Sequence, residues 1–287
     1  MTKVTPFQLL ACPLDAEPLT RDGPSWRCPA GHSFDVARQG YVHLLPVQNK
    51  RSLDPGDSKA MVAARQRFLN AGHYRPVAHA VAQQVLTGTA EAESLSCLDA
   101  GCGEGYYLRE LAASSSPAGC TMLGVDISKW AVLAAARQSG PEREQRPAWV
   151  VASNANLPVQ SATVDSVLCI FGFPVYGEFA RVLRPGGQLV QVDAGPDHLL
   201  ELREIIYPQL KGERASTGSP QKGFTAGPIK NIRFELALAG AGQIADLLAM
   251  TPHLYRASAE GREKAAALQK LTVTVDVRLR TFLRDQT

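Results

Sequence analysis

The segment that most restricts what this chain can fold into is Leu98–Leu108, LDAGCGEGYYL, where an apolar run breaks into alternating glycines and then a helix-forming stretch. Gly101, Gly103 and Gly105 lack a Cβ, so the backbone there can adopt conformations closed to other residues and approach a ligand closely. Downstream, MLGVDIS places Asp126 at the end of the next apolar run. A carboxylate at that strand end can accept hydrogen bonds from both ribose hydroxyls of an adenosine. A glycine-rich turn alone is weak evidence, because dinucleotide enzymes use one too. The spacing here is D-x-G-C-G-E-G rather than G-x-G-x-x-G. With the acidic strand end, that spacing favours S-adenosylmethionine; the bland alternative is a set of tight turns.

From Ser94 onward, short apolar runs alternate with helical patterns. Strands are predicted at 96–100, 122–126, 149–153, 166–171 and 188–194. Helices are predicted over LRELAAS, over SKWAVLAAARQ with Ser128 as N-cap and Gly140 as stop, and over HLLELREIIY. Uniformly apolar strands alternating with helices predict an α/β fold whose parallel sheet is covered on both faces. Near the C-terminus, LTVTVDVRLRTF alternates apolar and polar residues, the mark of a half-exposed antiparallel strand. ARVLRPGGQLV, Ala180–Val190, is similar to the helix–turn–strand that precedes the fifth strand of class I methyltransferases. The predicted fold is therefore a Rossmann-like class I methyltransferase sheet, mostly parallel with an antiparallel C-terminal strand, behind a small N-terminal zinc-ribbon-like module.

Position assigns roles within that fold. Gly101 and Gly103 would pass beneath the methionine part of the cofactor, with Gly105 completing the turn. Asp126 would hold the ribose, and Ser153, Asn154 and Ala155 would flank the adenine. Asp99 would meet the cofactor's amino group directly or through water, or else cap the turn. The sulfonium supplies the electrophile, so the protein mainly has to position and desolvate the acceptor.

A net charge of +3 permits a nucleic-acid partner without demanding one. The N-terminus lacks a signal-peptide pattern, and charges or prolines interrupt every apolar run short of membrane-spanning length. The expected compartment is the cytoplasm, where cysteines serve as thiols or metal ligands rather than disulfides. Residues 1–47 carry six prolines and cannot bury much apolar surface, so something must staple them. Cys12, Asp15, Cys28 and His32 have a spacing that suits tetrahedral zinc, with the carboxylate as the unusual member. The competing reading is metal-free: both cysteines are small core residues and His32 bonds a backbone carbonyl.

Taken together, these residues resemble the bacterial 23S rRNA (guanine-N1)-methyltransferase family. The resemblance runs through GHSFDVARQGYVHLLPVQNKRSLDPGDS (Gly31–Ser58), MVAARQRFLNAGHYRPV (Met61–Val77), CGEGYYL, AGPDHLLELREIIY (Ala194–Tyr207) and LLAMTPHLYRA (Leu247–Ala257). It implies an RNA-recognition module over 1–47 that binds zinc, a helical linker over 48–90 and a methyltransferase domain over 91–287, acting as a homodimer on a hairpin of the large-subunit rRNA. It also implies that Tyr74, Tyr107, Leu108 and His198 lie against the cofactor, whereas residue by residue Tyr74 and His198 read as ordinary packing or capping. Two departures stand out. The family has a cysteine where Asp15 stands, and in IFGFPVYGEF the loop proline falls one residue late, with Phe173 in its place.

The implied reaction requires a guanine to be extruded, because N1 lies on the Watson–Crick edge. Phe171 and Phe173 are the stacking candidates. N1 also carries a proton, and Asp165, Asp193 and Asp197 lie near strand ends, each with a capping or turn role as the alternative. Phosphate contacts are expected from Lys50, Arg51, Arg65, Arg67, Arg75, Lys211, Arg214, Lys222, Lys230 and Arg233. A small-molecule methyltransferase and a non-catalytic RNA-binding relative are the competing functional readings.

Overall fold

The structure, a computed structural model, describes residues 3–49, 52, 54–87, 94–114, 119–140, 146–210 and 221–286. In chain order the first elements are β1 (Val4–Pro6), β2 (Thr20–Asp22), β3 (Ser25–Arg27), β4 (Ser33–Asp35), β5 (Tyr41–His43), α1 (Lys59–Asn70) and α2 (Arg75–Thr87). The α/β alternation follows: β6 (Ser94–Ala100), α3 (Tyr106–Ala113), β7 (Gly119–Asp126), α4 (Lys129–Gln138), β8 (Ala148–Val151), β9 (Val164–Ile170), α5 (Tyr176–Val182) and β10 (Leu183–Ala194). The chain closes with α6 (Leu200–Ile206), β11 (Phe224–Ala239), α7 (Ala241–Ala249), α8 (His253–Arg256), α9 (Ala259–Ala267) and β12 (Lys270–Arg284).

The main sheet runs β11-β12-β10-β9-β6-β7-β8-β5, with β1 also paired to β7. The pairs β10–β9, β9–β6, β6–β7 and β7–β8 are parallel, while β12 is antiparallel to both β10 and β11. Every β6 residue after Ser94 is buried, as a strand covered on both faces must be. Ser128 caps α4 as predicted, accepting the Ala131 N–H at 3.3 Å, and Ser58 caps α1 by accepting the Met61 N–H at 3.3 Å.

Two features depart from the sequence reading. The 16-residue strand β11 escaped it, because FTAGPIKNIRFELALA carries Gly227 and Pro228 within its first five residues. Its pairing puts β12 between two strands, so the centre of β12 is buried rather than half-exposed. The N-terminal segment also does not stand apart. β1 continues the β7 edge through Val4↔Cys120, and β5 extends β8 through Tyr41↔Trp149. Phe7, Leu10, Cys12, Trp26 and Cys28 pack in the same apolar cluster as Leu98, Val125 and Val150. Only β2, β3 and β4 form a separate sheet among the described residues.

Trp149 is buried in the second apolar cluster of the core at 1% exposure. A Cβ on Gly124 would lie 2.3 Å from its Cζ3 and 2.4 Å from its Cε3. Gly124→Ala is expected to lower stability by about 1–3 kcal/mol through overpacking, seen as a lower thermal midpoint. An unchanged midpoint would show that the ring has room to move.

Candidate functional site

β6 sits at the point where the sheet changes direction, with β7 and β8 on one side and β9 and β10 on the other. Ligands of open α/β sheets bind at the carboxyl ends around such a point. There the Gly101 and Cys102 N–H groups both donate to the Val125 carbonyl, at 2.8 and 3.0 Å, which lays the loop against β7. Gly101, Gly103 and Gly105 have φ of +94°, +55° and +82°, all in the left-handed region. A Cβ on Gly101 would meet nothing nearer than Asn154 Nδ2 at 3.8 Å, so the loop opens onto free space there. At Gly103 the nearest atom is Arg65 Nη1 at 3.6 Å. Gly105 faces the other way: a Cβ would stand 2.5 Å from Trp149 Cη2, so this glycine serves packing and starts α3.

Asp126 is fixed by two backbone donors, Gly103 N–H to Oδ2 at 2.9 Å and Ser128 N–H to Oδ1 at 2.8 Å. Each oxygen keeps a lone pair, the pattern that two vicinal hydroxyls require. Asp99 is the opposite case. It is 1% exposed, and neither carboxylate oxygen has a hydrogen-bond partner. Burial pushes its pKa up to about 8, helped by the charges of Asp126 and Glu104. A buried carboxylate without a partner is costly, and a cation satisfies it. The residues present therefore fit S-adenosylmethionine: an orphaned buried carboxyl that the ammonium would draw into its charged form, an open glycine backbone for the methionine chain, and a fixed carboxylate for the ribose.

Tyr74, Phe171 and His198 meet beside this cradle. His198 Nδ1 accepts the Asp276 N–H at 3.3 Å, so the neutral ring carries its proton on Nε2 and donates to the Tyr74 hydroxyl at 3.3 Å. Burial pushes the His198 pKa down to about 4, which keeps the ring neutral. Phe171 stacks on His198 with centroids 5.6 Å apart and 27° between planes, and its φ of +52° is strained for a residue with a Cβ. It stays 42% exposed, whereas Phe173 is 91% exposed. Phe171 and Phe173 therefore diverge: one is built into the aromatic group and the other projects into solvent. Of the remaining predicted residues, Asn154 borders Gly101, Ser153 turns its hydroxyl to the Ala155 N–H at 3.2 Å, and Ala155 is exposed. Tyr107 lies half-buried against the core, and Leu108 is buried within it.

Sequence reasoning missed the place of Arg65. Rather than facing solvent, it lies over the glycine loop, pairs with Asp57 and donates to the Met250 carbonyl at 3.0 Å. Arg67 is likewise committed to Asp246, with Nε–Oδ2 at 2.9 Å, and Arg233 to Asp197 at 2.7 Å. Arg75, Lys222 and Lys230 are exposed. Lys50, Arg51, Lys211 and Arg214 lie outside the described residues.

The N-terminal cluster converges. One ligand atom each from Cys12, Asp15, Cys28 and His32 lie within 4.8 Å of one another. His32 Nδ1 stands 3.5 Å from Cys12 Sγ, 3.3 Å from Cys28 Sγ and 2.9 Å from Asp15 Oδ2, while Cys28 Sγ is 3.3 Å from that same oxygen. Tetrahedral zinc with ordinary bond lengths separates such donors by about 3.5 Å. Two tight turns set the spacing: Ala16 N–H to the Cys12 carbonyl at 2.9 Å, and Gly31 N–H to the Cys28 carbonyl at 3.0 Å. In the metal-free reading His32 Nδ1 bonds a carbonyl; here it faces two sulfurs and a carboxylate. The donor set fits zinc.

Comparison with known proteins agrees. Residues 10–53 match the family described as "RlmA, N-terminal", a zinc ribbon, and residues 97–187 match "Methyltransferase domain". A Bacillus subtilis (strain 168) protein named for 23S rRNA (guanine-N(1)-)-methyltransferase activity is 30% identical over 286 residues, covering 96% of this chain and 98% of its own. A Micromonospora griseorubida protein of the same naming is 38% identical over 67% of this chain and 68% of its own. The 23S rRNA (guanine(748)-N(1))-methyltransferase of Streptomyces fradiae is 37% identical over 69% of this chain and 67% of its own. No described helix is long and apolar enough to cross a membrane. On this footing the chain belongs to the 23S rRNA (guanine-N1)-methyltransferase family.

Proposed function

We propose that this chain transfers the methyl group of S-adenosylmethionine to N1 of a guanine in a hairpin of 23S rRNA, in the cytoplasm and as a homodimer. The observation that carries the reading is Asp99, a buried carboxyl group with both oxygens unpartnered, beside the open face of Gly101 at the switch point of the sheet. S-adenosylmethionine supplies an activated methyl carbon; the protein supplies placement. Asp99 holds the ammonium, Asp126 the ribose hydroxyls, and Asn154 borders the adenine. Phe171 offers its exposed face to the extruded base, with His198 behind it to fix the ring.

Residues 1–47 are assigned to RNA recognition, 48–90 to a linker and 91–287 to catalysis. Zinc on Cys12, Asp15, Cys28 and His32 would brace the recognition segment and takes no part in the chemistry. Arg75, Lys222 and Lys230 remain free to meet phosphates.

The test is mass spectrometry of rRNA digests from a strain lacking this chain. One N1-methylguanosine is expected to disappear and to return on complementation. An unchanged digest would move the function to a small-molecule acceptor or to RNA binding without catalysis.

A further inference from the structure

Removal of the N1 proton needs a base, and the structure separates the three aspartates that the sequence left level. Asp165 lies at the amino end of β9, the far edge of the sheet from Gly101. Its Oδ2 accepts from the Ser96 N–H and hydroxyl at 2.8 and 2.6 Å, and its Oδ1 pairs with Arg184 at 2.9 Å. Asp197 is paired with Arg233 at 2.7 Å.

Asp193 differs in both place and partners. It is the penultimate residue of β10, at the carboxyl edge, and follows Val192, whose carbonyl accepts the Phe171 N–H at 2.8 Å. Its Oδ2 accepts from Gln191 Nε2 at 2.8 Å, and Gln191 Oε1 accepts in turn from the Tyr176 hydroxyl at 2.9 Å. Tyr176 opens the helix that follows the Phe171–Phe173 loop, so the carboxylate is tied through Gln191 to the far end of that loop, while the neighbouring Val192 carbonyl holds its near end. Its Oδ1 takes no hydrogen bond from a described residue, and the side chain is only half-buried.

The other groups near the cradle are unsuited. Asp99 answers the cofactor's ammonium, His198 has its acceptor nitrogen occupied by Asp276, and burial pushes the Tyr74 hydroxyl far above neutrality. Groups around Asp193 are Tyr176 on α5, Cys169 on β9 and Arg280 on β12, with Arg278 as its register partner. Burial holds Asp193 above the usual carboxylate range, against the pull of Gln191 and Arg280. That brings it nearer the working range of a base at neutral pH.

We propose that Asp193 is the general base for methyl transfer, an inference that rests on guanine N1 being the acceptor. Its free Oδ1 takes the N1 proton while the N1 lone pair forms the bond to the methyl carbon. The carbon–sulfur pair leaves with sulfur, so sulfonium and carboxylate are both neutralised and the charges balance.

The experiment uses the full chain with an rRNA hairpin transcript. Asp193→Asn is expected to lower the single-turnover rate by about 10²–10⁴-fold, while calorimetric affinity for S-adenosylmethionine and affinity for the hairpin stay within a few-fold. The residual rate should climb steadily with pH as guanine N1 ionises by itself. The native rate should level off once Asp193 is ionised, and Asp193→Glu should restore part of it. An Asn variant that keeps the native rate, or one that loses cofactor affinity in parallel, overturns the assignment. A native chain that methylates no guanine overturns the substrate reading, and this inference falls with it.

Discussion

Asp99→Asn is expected to weaken S-adenosylmethionine binding by two to three orders of magnitude while leaving the ligand-free protein as stable as before, or more so. The two effects have one cause. The carboxylate is sealed from water with neither oxygen satisfied, so the empty fold bears the cost and the ligand's ammonium removes it. Breaking a buried charge pair by removing one partner costs about 3–5 kcal/mol, which sets the size of the affinity loss. The sign follows from the raised pKa of about 8 against an ordinary 3.8. Between those values the folded state binds the proton more tightly than the unfolded chain, so ligand-free stability falls as pH rises through that window. The asparagine variant lacks this penalty, and its advantage should widen with pH and stop growing near 8. Cofactor affinity of the native protein should run the other way, tightening by up to about tenfold per pH unit below the pKa and levelling above it. Calorimetric titrations across that range, paired with thermal melts, measure both. Equal loss of stability and affinity in Asp99→Asn would show that the carboxyl is structural.

The second large effect is expected at the N-terminal cluster. Purified chain should carry one zinc, and Cys28→Ser should reduce it to near zero, because two sulfurs, one imidazole and one carboxylate leave no spare ligand. Apparent zinc-binding energies of about 10–16 kcal/mol in small zinc modules are folding energy, so metal loss should expose the backbone of residues 10–32 to hydrogen exchange. Since Cys12 and Cys28 pack with Leu98 and Val125, the thermal midpoint of the whole protein should fall as well. Asp15→Cys should keep the metal and slow its removal by a chelator, because a thiolate holds zinc more firmly than a carboxylate. Metal-free native protein, or a serine variant with full zinc content, would sink this reading.

How much of this was legible beforehand varies with the kind of signal. Strands β6 to β10 announced themselves because a strand buried on both faces is apolar throughout, and glycines at 101 and 103 follow from backbone geometry. The clustering of Cys12, Asp15, Cys28 and His32 was readable from ligand types at zinc spacing, Asp15 notwithstanding. What failed was anything decided by a distant partner. Arg65, Arg67 and Arg233 read as free basic residues, yet their acids are Asp57, Asp246 and Asp197, two of them far along the chain. Gly105 joined a ligand motif by spacing, but its need is set by Trp149, a neighbour in space only. β11 was hidden because much of it faces solvent and Gly227 and Pro228 interrupt its opening residues. Phe171 and Phe173 looked alike in sequence; only β10, through the Val192 carbonyl, and His198 distinguish them.

Stitching β1 to β7 and β5 to β8 makes the leading segment a fixed jaw rather than a tethered grip. Under the proposed RNA-binding role, a hairpin seated on it would present its bases at a set reach from the methyl donor. A chain shortened to begin at residue 48 would leave the edges of β7 and β8 open and their apolar neighbours uncovered, inviting aggregation in place of an independent catalytic half.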